Sequence, residues 1–259
     1  MQPLAALPRD GVRGILTDID DTLTTRGRLP AHAYHAMQRL HDAGLLVIPI
    51  TGRPAGWCDH IARMWPVAGV VGENGALWMR HDDARRKLVR RFAVDAATSA
   101  RNRARLAGIG ERILREVPGC ALASDQHYRV ADLAIDFCED VPALPASAVD
   151  HIVALMQAEG LTAKVSSIHV NGWFGDYDKL SMTRVFLLEA FAIDLDADKE
   201  RFVFAGDSPN DAPMFAYFPR SVGVANVREH LDRIATAPAY VTAAAGGEGF
   251  AQLAEHLLG

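Results

Sequence analysis

Short β-branched runs alternate with helix-length amphipathic segments at both ends of this chain, and that alternation restricts the fold more than any other feature. Val12 to Thr17 is predicted as a strand and about Pro30 to Ala43 as a helix, with Pro30 suited to a first helical position and Gly44 to the residue beyond the end. Leu45 to Ile50 follows as a continuously apolar strand, the pattern of a strand covered on both faces. Pro54 opens a second helix through Met64, and Val67 to Val71 is a third strand. Phe202 to Ala205, Ser221 to Val224 and Tyr240 to Thr242 repeat the style. The matching helices are expected at Asp211 to Ala216, Val227 to Ala235 and Phe250 to Leu258, with Ala243 to Gly249 as a loop. Strands that alternate with helices imply an α/β fold, a mostly parallel Rossmann-like sheet with helices on both faces.

The middle of the chain breaks the pattern. Two long helical stretches, Asp95 to Glu116 and Ala146 to Glu159, sit among strand-like pieces at Lys87 to Phe92, Ala121 to Ser124, Ala131 to Phe137 and Leu161 to Val170. That grouping suggests an inserted α+β domain over residues 80–175, flanked by a core of residues 1–79 and 176–259. The insert carries 13 Lys and Arg against 12 Asp and Glu, while the flanking parts carry 14 against 20. A net charge of −5 argues against general nucleic-acid affinity, which needs a basic face. The run Arg85, Arg86, Lys87 with Arg90 and Arg91 reads as a solvated strand edge that discourages pairing. No apolar run approaches a membrane span. MQPLAALPRDGVRG lacks a basic stretch before an apolar one, so no secretory signal is expected. Cys58, Cys120 and Cys138 form no C-x-x-C and read as reduced thiols of a cytoplasmic protein. Trp57, Trp65 and Trp78 read as packing residues.

In a parallel sheet of this kind, ligands bind outside the carboxyl ends of the strands. The first strand delivers Asp18, Asp20 and Asp21 there, within four residues. Such carboxylates raise one another's pKa values unless a cation sits between them, and turn or cap formation needs only one acid. The second strand ends in Thr51, Gly52, Arg53 and Pro54. The hydroxyl and the unhindered amide face the start of the helix that Pro54 opens, a place suited to an anion, although an ordinary N-cap threonine would look the same. After the insert, Lys179 begins an apolar-periodic helix. The next strand ends in Gly206, Asp207, Ser208, Pro209, Asn210 and Asp211, a second acidic delivery to the same edge.

In this order the segments resemble the haloacid dehalogenase superfamily of phosphohydrolases. DIDDTLT matches its first motif D-x-D-x-T, ITGR its threonine motif, Lys179 its lysine motif and GDSPND its G-D-x-x-N-D motif. The position of the insert, and Val71-Gly-Glu73-Asn74-Gly75-Ala76, are similar to the C2-capped branch, subdivision IIB. That branch holds the Cof-type sugar phosphatases, the sucrose-phosphate, trehalose-phosphate and mannosyl-3-phosphoglycerate phosphatases, and phosphomannomutase. Asp21 stands where many members have glycine.

The resemblance implies a Mg²⁺-dependent phosphatase acting on a small phosphorylated metabolite, most simply a sugar phosphate, through an aspartyl-phosphate. It implies Asp18 as nucleophile and Asp20 as general acid and base, with Mg²⁺ at Asp18, Asp20 (through its carbonyl), Asp207 and Asp211. Thr51, Gly52, Lys179 and Asn210 would hold the phosphoryl oxygens. Substrate choice would come from the insert and its rim. The candidates are Arg53, Asn74, Arg129, His169 and Asn171, among the polar residues Asp125, His127, Tyr128, Asp132 and Trp173, although alternating polar residues on a half-exposed strand look alike. A phosphotransferase or mutase using the same intermediate is the competing enzymatic reading. A binding protein on an inherited scaffold would be expected to have lost Asp18, Asp20, Lys179 or Asp207, and all four are present.

Overall fold

A computed structural model describes all 259 residues. Six parallel strands form the central sheet in the spatial order Gln2–Pro3, Tyr240–Val241, Arg220–Gly223, Phe202–Gly206, Gly14–Thr17 and Leu46–Pro49. Successive residues of one strand feed opposite cores, as the two-residue period requires. Ile15 packs with Val47 and Val203 beneath the helices Ala31–Asp42, Ala55–Met64 and Gly246–Leu258. Leu16 packs with Ile48 and Phe204 beneath Lys179–Phe191 and Ala212–Tyr217. Both faces are covered, which is why these strands read as unbroken apolar runs. The α/β class and parallel sheet expected from the sequence are present.

Beyond Leu46–Pro49, Ile50 bridges Val71, and Val70–Gly72 opens a three-stranded antiparallel sheet with Leu77–Asp82 and Lys87–Phe92. The basic strand is the edge of that sheet. The turn at Glu73–Gly75 depends on Gly75, because a Cβ there would lie 2.0 Å from the Asp178 carbonyl oxygen. Glycine thus lets the hairpin approach the start of the Lys179 helix.

A separate four-stranded antiparallel sheet has the order Ala121–Leu122, Asp132–Asp136, His169–Trp173, Thr162–Val165. Leu133, Ile135 and Val170 face the helices Ala96–Glu116 and Ala146–Ala158. By alternation, Asp132, Asp136, His169 and Asn171 face the other way, yet all four are buried. A polar sheet face is buried here because the loops at the carboxyl edge of the parallel sheet lie against it.

Four local expectations need correction. Leu161 to Val170 is not one strand: Ser166, Ser167 and Ile168 turn the chain between two. Val227 to Ala235 is not a helix. A 3₁₀ segment, Ala225–His230, takes its place, with Asn226 committed to distant partners. The last helix starts at Gly246 rather than Phe250, since glycine allows close passage over the Leu23–Thr25 backbone: a Cβ on Gly247 would lie 2.7 Å from the Leu23 carbonyl. Trp57 is not packed inside; it is 40% exposed, with the Arg53 guanidinium 4.5 Å from its ring centre.

Candidate active site

The loops at the carboxyl edge bring Asp18, Asp207, Asp211 and Lys179 together. Asp18 follows the Gly14–Thr17 strand, and its N–H donates to the Ala205 carbonyl at 2.9 Å, so the ladder holds its backbone. Asp207 directly follows Phe202–Gly206. Carboxylate oxygens of Asp18, Asp207 and Asp211 lie within 4.8 Å of one another, and all three residues are buried. Lys179, the first residue of its helix, is placed by a capping box between Asp178 and Ser181. Its Nζ donates to Asp18 Oδ1 at 2.7 Å and to Asp211 Oδ1 at 2.9 Å.

Each remaining acidic oxygen is held differently. Asp211 Oδ2 accepts the amides of Asp207 and Ser208. Asp207 accepts the Thr22 hydroxyl at 3.2 Å and the Asn226 side-chain amide at 3.0 Å. Asp18 Oδ2 accepts no hydrogen bond from the protein, which leaves it free to act. One ammonium faces three carboxylates. Burial pushes the Asp18 carboxyl up to about 8 against the pull of Lys179, with Asp211 and Asp20 adding to the rise. Burial, with Asp18 and Asp211 nearby, likewise raises Asp207. Burial alone would lower the Lys179 ammonium, but Asp18 and Asp211 reverse this and hold it above its usual range. A buried set of hard oxygen donors with excess negative charge fits a small divalent cation such as Mg²⁺.

The Thr51–Pro54 loop faces this cluster. Thr51 Oγ1 accepts the Arg53 amide at 3.0 Å, and Gly52 packs against the Asn74 side chain. Asn74, in a left-handed conformation, is buried, and its Nδ2 has no hydrogen-bond partner in the protein. With Lys179 and Asn210 it lines a cavity of about 50 Å³. Asn210 Oδ1 accepts the Ser208 hydroxyl at 2.7 Å.

Asp20 turns away from the acid triad toward the four-stranded sheet. Arg53 grips it with a two-pronged contact, Nε and Nη2 at 3.0 and 2.8 Å from Oδ1. The same guanidinium reaches Glu139 at 2.8 Å and Asp125 at 3.4 Å. Glu139 sits on a turn built by three amides that donate to Asp136. His169 Nε2 lies 2.9 Å from Glu139 Oε2. Contact with His169 and with Arg53 holds the Glu139 carboxyl down to about 2. Arg129, also buried, pairs with Asp125 and Asp132 and donates to the Gly52 carbonyl at 2.8 Å, and Asn171 donates to Asp132 at 2.9 Å. Arg53 and Arg129 are thus already paired with protein carboxylates, and His169 stands beside Glu139. Together with Asp18, Asp20, Gly52, Asn171 and the Ser166–Ile168 turn they enclose a cavity of about 20 Å³, space for about one water molecule.

Sequence reasoning missed four contributors. Asn226 follows a core strand by three residues and was legible from the strand-end rule. The Ser166–Ser167 pair carried a turn signal between two β-branched runs. Glu73 and Glu139 had no local signal, because their partners lie far along the chain.

The model of the haloacid dehalogenase-like hydrolase family matches residues 15–100 and 181–252. A phosphoglycolate phosphatase of Methanothermobacter thermautotrophicus is 29% identical over 253 residues, covering 96% of this chain and 100% of the relative. Among solved structures, Thermoplasma acidophilum 0175 matches with a TM-score of 0.72 at 19% identity, covering 95% of this chain and 98% of the other. A HAD subclass IIB sugar phosphatase matches with a TM-score of 0.62 at 15% identity, covering 95% and 98%.

Proposed function

We propose that this chain, which belongs to the haloacid dehalogenase-like hydrolases, is a Mg²⁺-dependent phosphatase that cleaves a small phosphorylated metabolite through a phosphorylated Asp18. The observation that carries this reading is the unpaired Oδ2 of Asp18 beside a lysine-held Oδ1, in a buried triad with one ammonium for three carboxylates. Asp18 Oδ2 attacks phosphorus, and the bond from phosphorus to the leaving oxygen breaks. Asp20 gives that oxygen a proton, then takes one from the water that releases phosphate and restores the Asp18 carboxylate. Thr51, the Gly52 amide, Lys179, Asn210 and the unpartnered Asn74 amide receive the phosphoryl oxygens. Asp18, Asp207, Asp211 and the Asp20 carbonyl would hold Mg²⁺, whose charge offsets that of nucleophile and substrate. Arg53 must release Asp20 before the acid can reach a leaving group.

Residues 80–175 act as a cap in this reading, over a core of residues 1–79 and 176–259. The polar sheet face then selects the leaving group through Arg53, Arg129, His169 and Asn171. The phosphoglycolate phosphatase relative supports 2-phosphoglycolate as a candidate beside the hexose phosphates. The test is phosphate release from a panel of these esters, with Mg²⁺ and without any added acceptor. Turnover that stops in a chelator and returns with Mg²⁺ supports the reading. Release that requires an added hydroxyl acceptor would favour a phosphotransferase.

Metal binding has a second readout. The Asp18 carboxyl rises from 3.8 to about 8 on folding, so the folded state binds its proton more tightly. Its contribution to stability is present below the unfolded value and lost as pH rises through about 8. The chelated protein is therefore expected to lose stability across that window, and Mg²⁺ to raise its melting temperature more at the alkaline end than at the acid end. An equal increment at both ends would count against metal binding at the triad.

A further inference from the structure

Glu73 is fully buried, stands outside the acid triad and touches no residue assigned to the chemistry through its side chain. Its carboxylate instead joins two distant pieces of chain. Oε1 accepts the Ala55 amide at 2.9 Å, at the first residue of the helix that follows the Thr51–Pro54 loop. Oε1 and Oε2 also accept three consecutive amides across the site, Val130 at 2.9 Å, Ala131 at 2.7 Å and Asp132 at 3.2 Å. Four backbone donors on one carboxylate hold it against its burial. Burial pushes the Glu73 carboxyl up to about 7, with Asp132 adding to the rise and the Val130 and Ala55 amides opposing it.

The backbone accepts strain to aim this side chain. Glu73 has φ +44° and Asn74 φ +53°, left-handed values that non-glycine residues seldom take. Their amides donate to the Arg53 and Thr51 carbonyls, which fixes the turn in register with the phosphate-facing loop. The segment that Glu73 grips carries Arg129 on one side and Asp132 on the other. Arg129 reaches back to the Gly52 carbonyl and to Asp132, and Asp132 holds Asn171. Gly52, Arg129 and Asn171 all line the small cavity.

We infer that Glu73 is a positioning residue: it sets the spacing between the phosphate-facing loop and the polar sheet face, and through Arg129, Asp132 and Asn171 it decides which leaving group fits. This rests on the phosphatase reading. A role in folding alone would affect every substrate alike. A positioning role weakens discrimination of the leaving group and spares an ester that does not use the polar face.

The test compares the full-length protein with Glu73→Gln, which keeps the shape but turns an N–H₂ group toward backbone donors. Two substrates are used, p-nitrophenyl phosphate and the alkyl phosphate of the panel above that the unmodified protein turns over fastest. For the alkyl ester kcat/KM is expected to fall by about 30-fold, the scale on which a sub-ångström misplacement acts. For the aryl ester it is expected to stay within about 3-fold, since that leaving group departs without help from the polar face. Hydrogen exchange of the 129–133 segment is expected to quicken about tenfold while the melting transition remains cooperative. Ala131→Pro removes one gripped amide from the opposite side and is expected to give the same selective loss, which covers a Gln variant that folds poorly. Equal losses on both esters, or none, overturn the assignment of Glu73 alone. An unmodified protein that turns over neither ester overturns the phosphatase reading and this assignment with it.

Discussion

Asp18→Asn is expected to lower turnover by about four powers of ten or more, the scale on which loss of a covalent nucleophile acts, while leaving the chelated protein at least as stable as the unmodified one. The first effect follows from the free Oδ2, which an amide nitrogen or a poorly nucleophilic amide oxygen cannot replace. The second follows from the electrostatics. Asp18 is one of three buried acids facing one ammonium, and its neutral form is favoured by burial and by its acidic neighbours. A neutral side chain at that position relieves repulsion with Asp207 and Asp211, and Lys179 keeps Asp211 as a partner. Turnover and chemical unfolding measured on the same preparation test both halves. Retention of more than about a tenth of the activity would remove Asp18 as nucleophile.

Lys179→Met moves stability the other way. It leaves Asp18 and Asp211 buried without their ammonium, and stranding a buried charge costs about 3–5 kcal/mol. The chelated variant is expected to lose that much in urea unfolding at neutral pH, and to recover part of it with Mg²⁺. The deficit is expected to shrink in acid, where the carboxyls are protonated and no charge is stranded. Activity is expected to fall by about 10²–10³-fold, as for loss of one donor to a developing oxyanion. A deficit below about 1 kcal/mol would mean that Lys179 offsets no buried negative charge in this cluster, contrary to its contacts with Asp18 and Asp211. The opposite signs of the two substitutions are the signature of a cluster short of positive charge.

The parallel sheet was legible because its strands are covered on both faces. Val47, Ile48, Phe202, Val203 and Phe204 have no polar alternation to confuse with a surface helix. The two-residue Gln2–Pro3 strand carries no pattern at all and exists only because Tyr240–Val241 offers an open edge. Asn226 stands just before the Val227 to Ala235 segment expected as a helix; its side chain, spent on Asp207, Asp21 and Gly246, decides the local shape.

The site divides in the same way. Asp18, Thr51, Lys179 and Asp207 stand at or just beyond element ends, where the strand-end rule looks, and Lys179, Asp18 and Asp207 meet as a cluster. Arg53 and Arg129 were visible as cations near the site. What a guanidinium pairs with is set by residues 33 to 86 positions away for Arg53, a distance over which local sequence carries no signal. Glu73 is the extreme case. Its chemistry is ordinary, and its importance comes from the three amides that the insert brings back to it after 57 residues or more.

In the proposed reaction Asp18 itself carries the phosphoryl group between substrate and water. Protein quenched in acid during steady turnover, digested and weighed peptide by peptide, tests it directly. The peptide containing Asp18 is expected to bear one phosphoryl group, lost on treatment with hydroxylamine and absent from Asp18→Asn. Full phosphate release with that peptide unmodified at every time point, or the phosphoryl group on another residue, would contradict the account.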